Sequence, residues 1–206
     1  MNDHELISAI AAGDNTAFHR LVTRYRTMVY TACYRVIGSK ADAEEIAQDV
    51  FVQVFRKAGN FEGKSKVSTW LYRIAVNLSL NFLRKQKWSR LFSPLSPTDE
   101  QTDSAMIVLP GKENDQPDAR MNSRAERHML QRALASLPGK QKAAFLLHKY
   151  DGLSYQEIAD TLNTSLSSIE SLIYRARKSL QKILTAEMQK NEKTARVSPA
   201  LCCLIL

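Results

Sequence analysis

Apolar positions recur at three- and four-residue spacing along most of the chain, and the strict alternation of a half-buried strand is almost absent. The spacing predicts a short helix over "DHELISAIAAGD", ended by Gly13, and a longer one over "TAFHRLVTRYRTMVYTACYRVIG", ended by Gly38. A third follows in "DAEEIAQDVFVQVFRKAGNF", where Asp42 is placed to cap and Glu45 stands at the capping-box position. Its apolar stripe is Ile46, Ala47, Val50, Phe51, Val54, Phe55 and Ala58. The polar side includes Glu44, Gln48, Asp49 and Gln53, an acidic and amide-rich surface that suits either a basic protein partner or plain solvent.

The segment "GNFEGKSK", with two glycines and two lysines, predicts a flexible connection. Beyond it "VSTWLYRIAVNLSLNFLRKQKW" has a core stripe of Leu71, Ile74, Ala75, Leu78 and Phe82. A neighbouring stripe runs through Trp70, Arg73, Asn77, Asn81, Arg84 and Trp88. Rings, guanidinium groups and amides supply stacking, charge neutralisation and edge hydrogen bonds, the three needs of unstacked bases and phosphates. Val76 and Leu80 lie close to this stripe and interrupt it.

Near the other end, "SYQEIADTLNTSLSSIESLIYRARKSL" reads as two helices joined by a tight polar turn. Ser154 and Glu157 have capping-box spacing, and Asn163 tolerates the left-handed conformation such a turn demands. Ser165 or Ser167 caps the second helix, whose apolar side is Ile169, Leu172, Ile173, Ala176, Leu180, Ile183 and Leu184. Its other side offers Ser167, Ser171, Tyr174, Arg175 and Lys178. Such a helix is shaped to enter a DNA major groove, although a helical hairpin with a solvated face has the same pattern.

Charge divides the chain. Residues 1–93 hold 14 Lys and Arg against 8 Asp and Glu, residues 94–118 hold 1 against 6, and residues 119–206 hold 14 against 7. The net charge of +8 is therefore two basic blocks around an acidic one. Basic blocks attract polyanions through counterion release, and they also serve solubility. The acidic stretch contains four of the six prolines and little aliphatic residue beyond "MIVL", the composition of a flexible linker.

Cysteine is sparse, with Cys33 in an apolar helical run and Cys202 and Cys203 at the end. With four scattered histidines, no metal spacing or disulfide framework emerges, and a reducing cytoplasm fits. The first residues have no secretory-signal pattern, and no apolar run approaches a membrane span. The ending "CLIL" matches the prenylation pattern, but so short a match arises readily by chance, and "SPALCCLIL" reads as a disordered or weakly docking tail. Paired carboxylates in a defined site, a Gly-rich phosphate loop and a nucleophile–base pair are all missing from the pattern, so neither enzyme, cofactor nor small-molecule substrate is expected.

Taken together and in this order, these segments resemble a bacterial RNA polymerase sigma factor of the extracytoplasmic function (ECF) group, in the sigma-70 family. "DHELISAIAAGDNTAFHRLVTRY" resembles the start of its region 2, "DAEEIAQDVFVQVFRKAGNF" the helix that docks on the polymerase clamp, and "STWLYRIAVNLSLNFLRK" its minus-10 segment. "LPGKQKAAFLLHKYDGLSYQEIADTLNTSLSSIESLIYRARKSL" resembles region 4. The resemblance implies an all-α protein of two small helical domains. Region 2 would span 1–92, an acidic linker 93–118, region 4 with a helix-turn-helix 119–188, and a tail 189–206. It implies core contact through Glu45, Gln48, Asp49 and Phe51, and minus-10 contact through Lys64, Trp70, Arg73, Asn77, Asn81 and Arg84, with the "GNFEGKSK" loop helping to hold a flipped base. Minus-35 contact would fall to Ser167, Ser168, Glu170, Ser171, Tyr174, Arg175 and Lys178. Implied partners are core polymerase, promoter DNA and an anti-sigma factor.

This chain departs from the family at three positions, with Ser167 for a usual glycine, Glu170 for a usual cation and Leu172 for a usual arginine. The lost cations weaken attraction to phosphate, while a glutamate can accept a hydrogen bond from a cytosine amino group. A one-component helix-turn-helix regulator is the competing reading, but the N-terminal block lacks the α/β pattern of a ligand or receiver domain.

Overall fold

The computed structural model describes the backbone of residues 1–92 and 124–191, so the expected linker and the tail with Cys202 and Cys203 lie outside the described residues. The described residues form eight α-helices: α1 (Asp3–Ala11), α2 (Asn15–Ile37), α3 (Lys40–Lys57), α4 (Val67–Phe92), α5 (Arg124–Ala135), α6 (Gly139–Lys149), α7 (Tyr155–Leu162) and α8 (Leu166–Asn191). No strand occurs among the described residues. Two compact units form, one on α1 to α4 and the other on α5, α6 and α8 with the start of α7.

In the first unit, local chemistry sets each helix start. Asn2 and Glu5 make a reciprocal capping box: the Glu5 N–H donates to the Asn2 side-chain oxygen at 2.8 Å, and the Asn2 N–H donates to the Glu5 carboxylate at 2.7 Å. Asp14 caps α2, and Gly38 ends it at φ 91°, a left-handed conformation that a Cβ would strain. The turn at Gly38 lets α3 begin at once. Its cap is therefore Ser39, whose hydroxyl accepts from the Asp42 N–H, and not Asp42 as the spacing suggested. Glu45 is thereby left as an exposed side chain on the second turn.

Leu6, Ile7 and Ile10 of α1, Leu21, Val29 and Cys33 of α2, and Val50 and Val54 of α3 are buried with Leu71 and Ala75 of α4. Helix α4 packs against both α2 and α3. Two neighbours require two buried sides, so Val76 is fully buried although its position beside the polar stripe suggested an interruption there. Leu78 and Phe82, expected in the core, are half-buried.

The second unit has a core of Met129, Leu130, Ala133, Leu134 and Leu137 from α5 and the turn after it, Phe145 and Leu146 from α6, and Ala176, Leu180 and Leu184 from α8. Arg132 and Glu187 pair at 2.9 Å across α5 and α8. The turn between α7 and α8 forms as the spacing predicts. The Ser154 N–H donates to the Glu157 carboxylate at 3.0 Å, the Glu157 N–H returns to the Ser154 hydroxyl at 3.2 Å, and Asn163 has φ 49°. Of the two candidate caps for α8 it is Ser165 that serves, accepting from the Ser168 N–H at 3.3 Å.

Candidate nucleic-acid interface

The stripe on α4 faces solvent along its length. Arg73, Asn77, Asn81 and Arg84 are exposed, Trp88 is 58% exposed, and Trp70 is half-buried at the first turn. The Arg84 guanidinium donates to the Asn81 side-chain oxygen at 3.1 Å, which fixes both groups one helical turn apart. Trp70 leans on Phe61, with ring centroids 5.0 Å apart and planes at 45°. Lys64, in the loop before α4, pairs with Glu62; both are well exposed, so solvent screens the pair and leaves the ammonium able to exchange to a phosphate.

The outer side of α8 is a second polar face. Ser167, Glu170, Ser171, Arg175 and Lys178 are exposed, and Tyr174 is 59% exposed. The Lys178 ammonium lies 5.0 Å from the centre of the Tyr174 ring, a cation–π contact that holds the two as one amphipathic projection. Behind them Ile169, Ile173, Ala176 and Leu180 are buried, so α8 is braced on the side away from this face. Ser168 differs from its neighbours: it is half-buried, and its hydroxyl sits 2.7 Å from that of Ser165 inside the cap. Leu172 is half-buried and extends the apolar side.

A third surface lies on α3. Gln48 and Asp49 are exposed as the pattern predicted, Glu45 is exposed beside them, and Phe51 of the apolar stripe points inward and is 9% exposed. Its ring packs on the core side of α3. Val52 and Phe55 stand outside instead, 45% and 44% exposed, beside the acidic residues. Phe55, expected in the core, meets Phe18 of α2 edge-on at 5.3 Å. Phe51 and Phe55 are one turn apart on the same stripe, and periodicity cannot tell which of the two the neighbouring helices cover.

Among the described residues no group of three or more His, Cys, Asp or Glu could hold a metal, and no helix is long and apolar enough to cross a membrane. Two helical units, one with an aromatic and cationic stripe and one with a braced helix-turn-helix, define a DNA-binding helical protein. The model for sigma-70 region 2 matches residues 21–89, and that for sigma-70 region 4 matches residues 127–180. The chain is 33% identical over 179 residues to the ECF RNA polymerase sigma factor SigW of Bacillus subtilis, covering 86% of this chain and 94% of that protein. It is also 33% identical over 180 residues to the ECF RNA polymerase sigma-E factor of Escherichia coli, covering 87% and 93%. The chain belongs to the ECF group of the sigma-70 family of RNA polymerase sigma factors: it directs RNA polymerase in transcription initiation and binds promoter DNA.

The fold is shared with two solved structures. CnrH, in complex with the cytosolic domain of CnrY, superposes with a TM-score of 0.62 at 23% identity, over 89% of this chain and 97% of that one. The sigma factor RpoE of Bartonella quintana, in complex with the anti-sigma factor NepR, gives 0.58 at 21% identity, over 82% and 96%.

Proposed function

We propose that three faces divide the work of initiation. Glu45, Gln48 and Asp49 on α3, with Val52 and Phe55 in place of the buried Phe51, dock on a basic and partly apolar surface of the core polymerase clamp. Lys64, Trp70, Arg73, Asn77, Asn81 and Arg84 bind the minus-10 element and hold a base extruded as the strands part, which costs only a few kcal/mol of unstacking. Ser167, Glu170, Ser171, Tyr174, Arg175 and Lys178 enter the minus-35 major groove, while Ser168 serves the cap. In this reading residues 1–92 and 119–188 are separate domains joined by 93–118. The chain acts in the cytoplasm, catalyses nothing itself, and binds an anti-sigma factor, as the RpoE structure in complex with NepR does.

The observation that supports this most is the occurrence of two outward DNA-competent faces, each on a segment matched to the family region that would use it. Transcription from a randomised promoter library, with purified core polymerase and this chain, tests it. A single promoter family should be transcribed only when both are present. Asp49→Arg reverses charge on an exposed position and should weaken core association by about tenfold with the melting curve unchanged. Unaltered affinity for core removes α3 from the interface.

A further inference from the structure

Helix α1 lies before residue 21, where the region 2 match begins. It nevertheless reaches the loop that leads into α4. The His4 ring stands 5.5 Å from the Phe61 ring at 40°, and Phe61 in turn stands 5.0 Å from Trp70. Three rings thus connect α1, the loop and the first turn of the DNA-facing helix. The loop backbone also passes near the same histidine, which stays exposed to solvent. Gly63 has φ +72°, and a Cβ placed on it would lie 3.5 Å from His4 Nδ1. The aromatic residue at the start of the loop therefore rests on His4, and the glycine in its middle passes near the same ring.

A support must itself be anchored. Asp3, beside His4, accepts hydrogen bonds from the Tyr25 hydroxyl and the Arg24 guanidinium, both on α2. Burial pushes its carboxyl up, but these two partners outweigh burial and hold it below the ordinary value. Leu6, Ile7 and Ile10 fix the other side of α1 in the core. By contrast the charge pair of Glu62 with Lys64 in the loop is open to solvent and contributes little to its order.

From this geometry we infer that His4 is a positioning residue for promoter opening: by seating Phe61 it sets the 61–66 loop and the Trp70 indole where an extruded base is held. The inference rests on the base-holding role proposed above for Trp70 and Asn77. His4 touches no DNA. It acts by lowering the number of loop conformations that must be lost when the base arrives, a preorganisation effect felt in opening and not in duplex binding.

The test uses holoenzyme formed with full-length chain and a promoter duplex that the wild-type holoenzyme selects from a randomised library. Permanganate reactivity measures opening. His4→Ala should reduce open complex by about three- to tenfold, the factor that one lost aromatic pair sets, while closed-duplex affinity and the melting curve stay as in wild type. His4→Phe, which keeps a ring against Phe61, should restore opening, and on a premelted template the His4→Ala defect should shrink to less than about twofold. Normal opening by His4→Ala overturns the proposal, as does a loss that His4→Phe fails to restore. Asn77→Ala separates the two levels. If it impairs opening while His4→Ala does not, only the positioning role falls; if both open normally, base holding falls with it.

Discussion

Lys142 carries an ionisable ammonium at a buried position. It lies in α6 at 6% exposure, and loss of hydration pushes its ammonium down to about 8. The folded state therefore binds fewer protons than the unfolded state between about pH 8 and 10.5. Stability from this group is lowest below pH 8 and rises as the pH climbs through that window. Lys142→Met keeps the length of the stem and removes the charge, so the variant should be more stable at pH 7 by about 1–3 kcal/mol. The difference between the two proteins in urea melts should close as the pH is raised from 7 to 10.5. Parallel stability curves would show that the ammonium keeps its hydration. Cys33 illustrates the opposite sign, since burial pushes its thiol up to about 11 and leaves it a small core hydrophobe with little thiolate to react.

Among elements, α4 and α8 are alike: each is 26 residues long and packs against two neighbours, α2 and α3 for the first and α5 and α6 for the second, while keeping a polar outer face. On the outer face of α8 Glu170 is the anion among hydroxyls, an aromatic ring and cations. We expect it to read a base donor, because a carboxylate facing only phosphate would cost binding without conferring any preference. Glu170→Lys should then weaken the preferred minus-35 sequence by about 1–3 kcal/mol and flatten discrimination. Selection of minus-35 sequences by both proteins checks this. Uniformly tighter binding with the same preference, and a steeper salt dependence, would assign the glutamate to phosphate repulsion instead.

At the scale of the molecule, the two units have cores of their own. Every side chain of the Met129-to-Leu184 cluster comes from the second unit, and Leu6 to Val76 supply the first. Fragments 1–92 and 119–188 should each therefore melt cooperatively when expressed separately, the second with the lower midpoint because about 70 residues bury a smaller share of their surface. A fragment 119–188 that lacks helical circular dichroism at 25 °C would show that its core needs the rest of the chain. Separate cores suit the proposed division of the DNA contacts between two promoter elements.

What the sequence determined by itself is local. Helix periods, the Ser154–Glu157 box, the Asn163 turn and the outward stripes of α4 and α8 all follow from interactions within four residues or from a 3.6-residue repeat, and each formed as its spacing required. The tertiary structure decided which members of an apolar stripe are covered. Phe51 went inside and Phe55 outside, and Val76 was buried because α4 has two neighbours. It also decided that His4 meets Phe61 across more than fifty residues of sequence. Periodicity gives the direction in which a side chain leaves its own helix, but burial depends on what another helix places there, and that distance is set only when the whole unit packs.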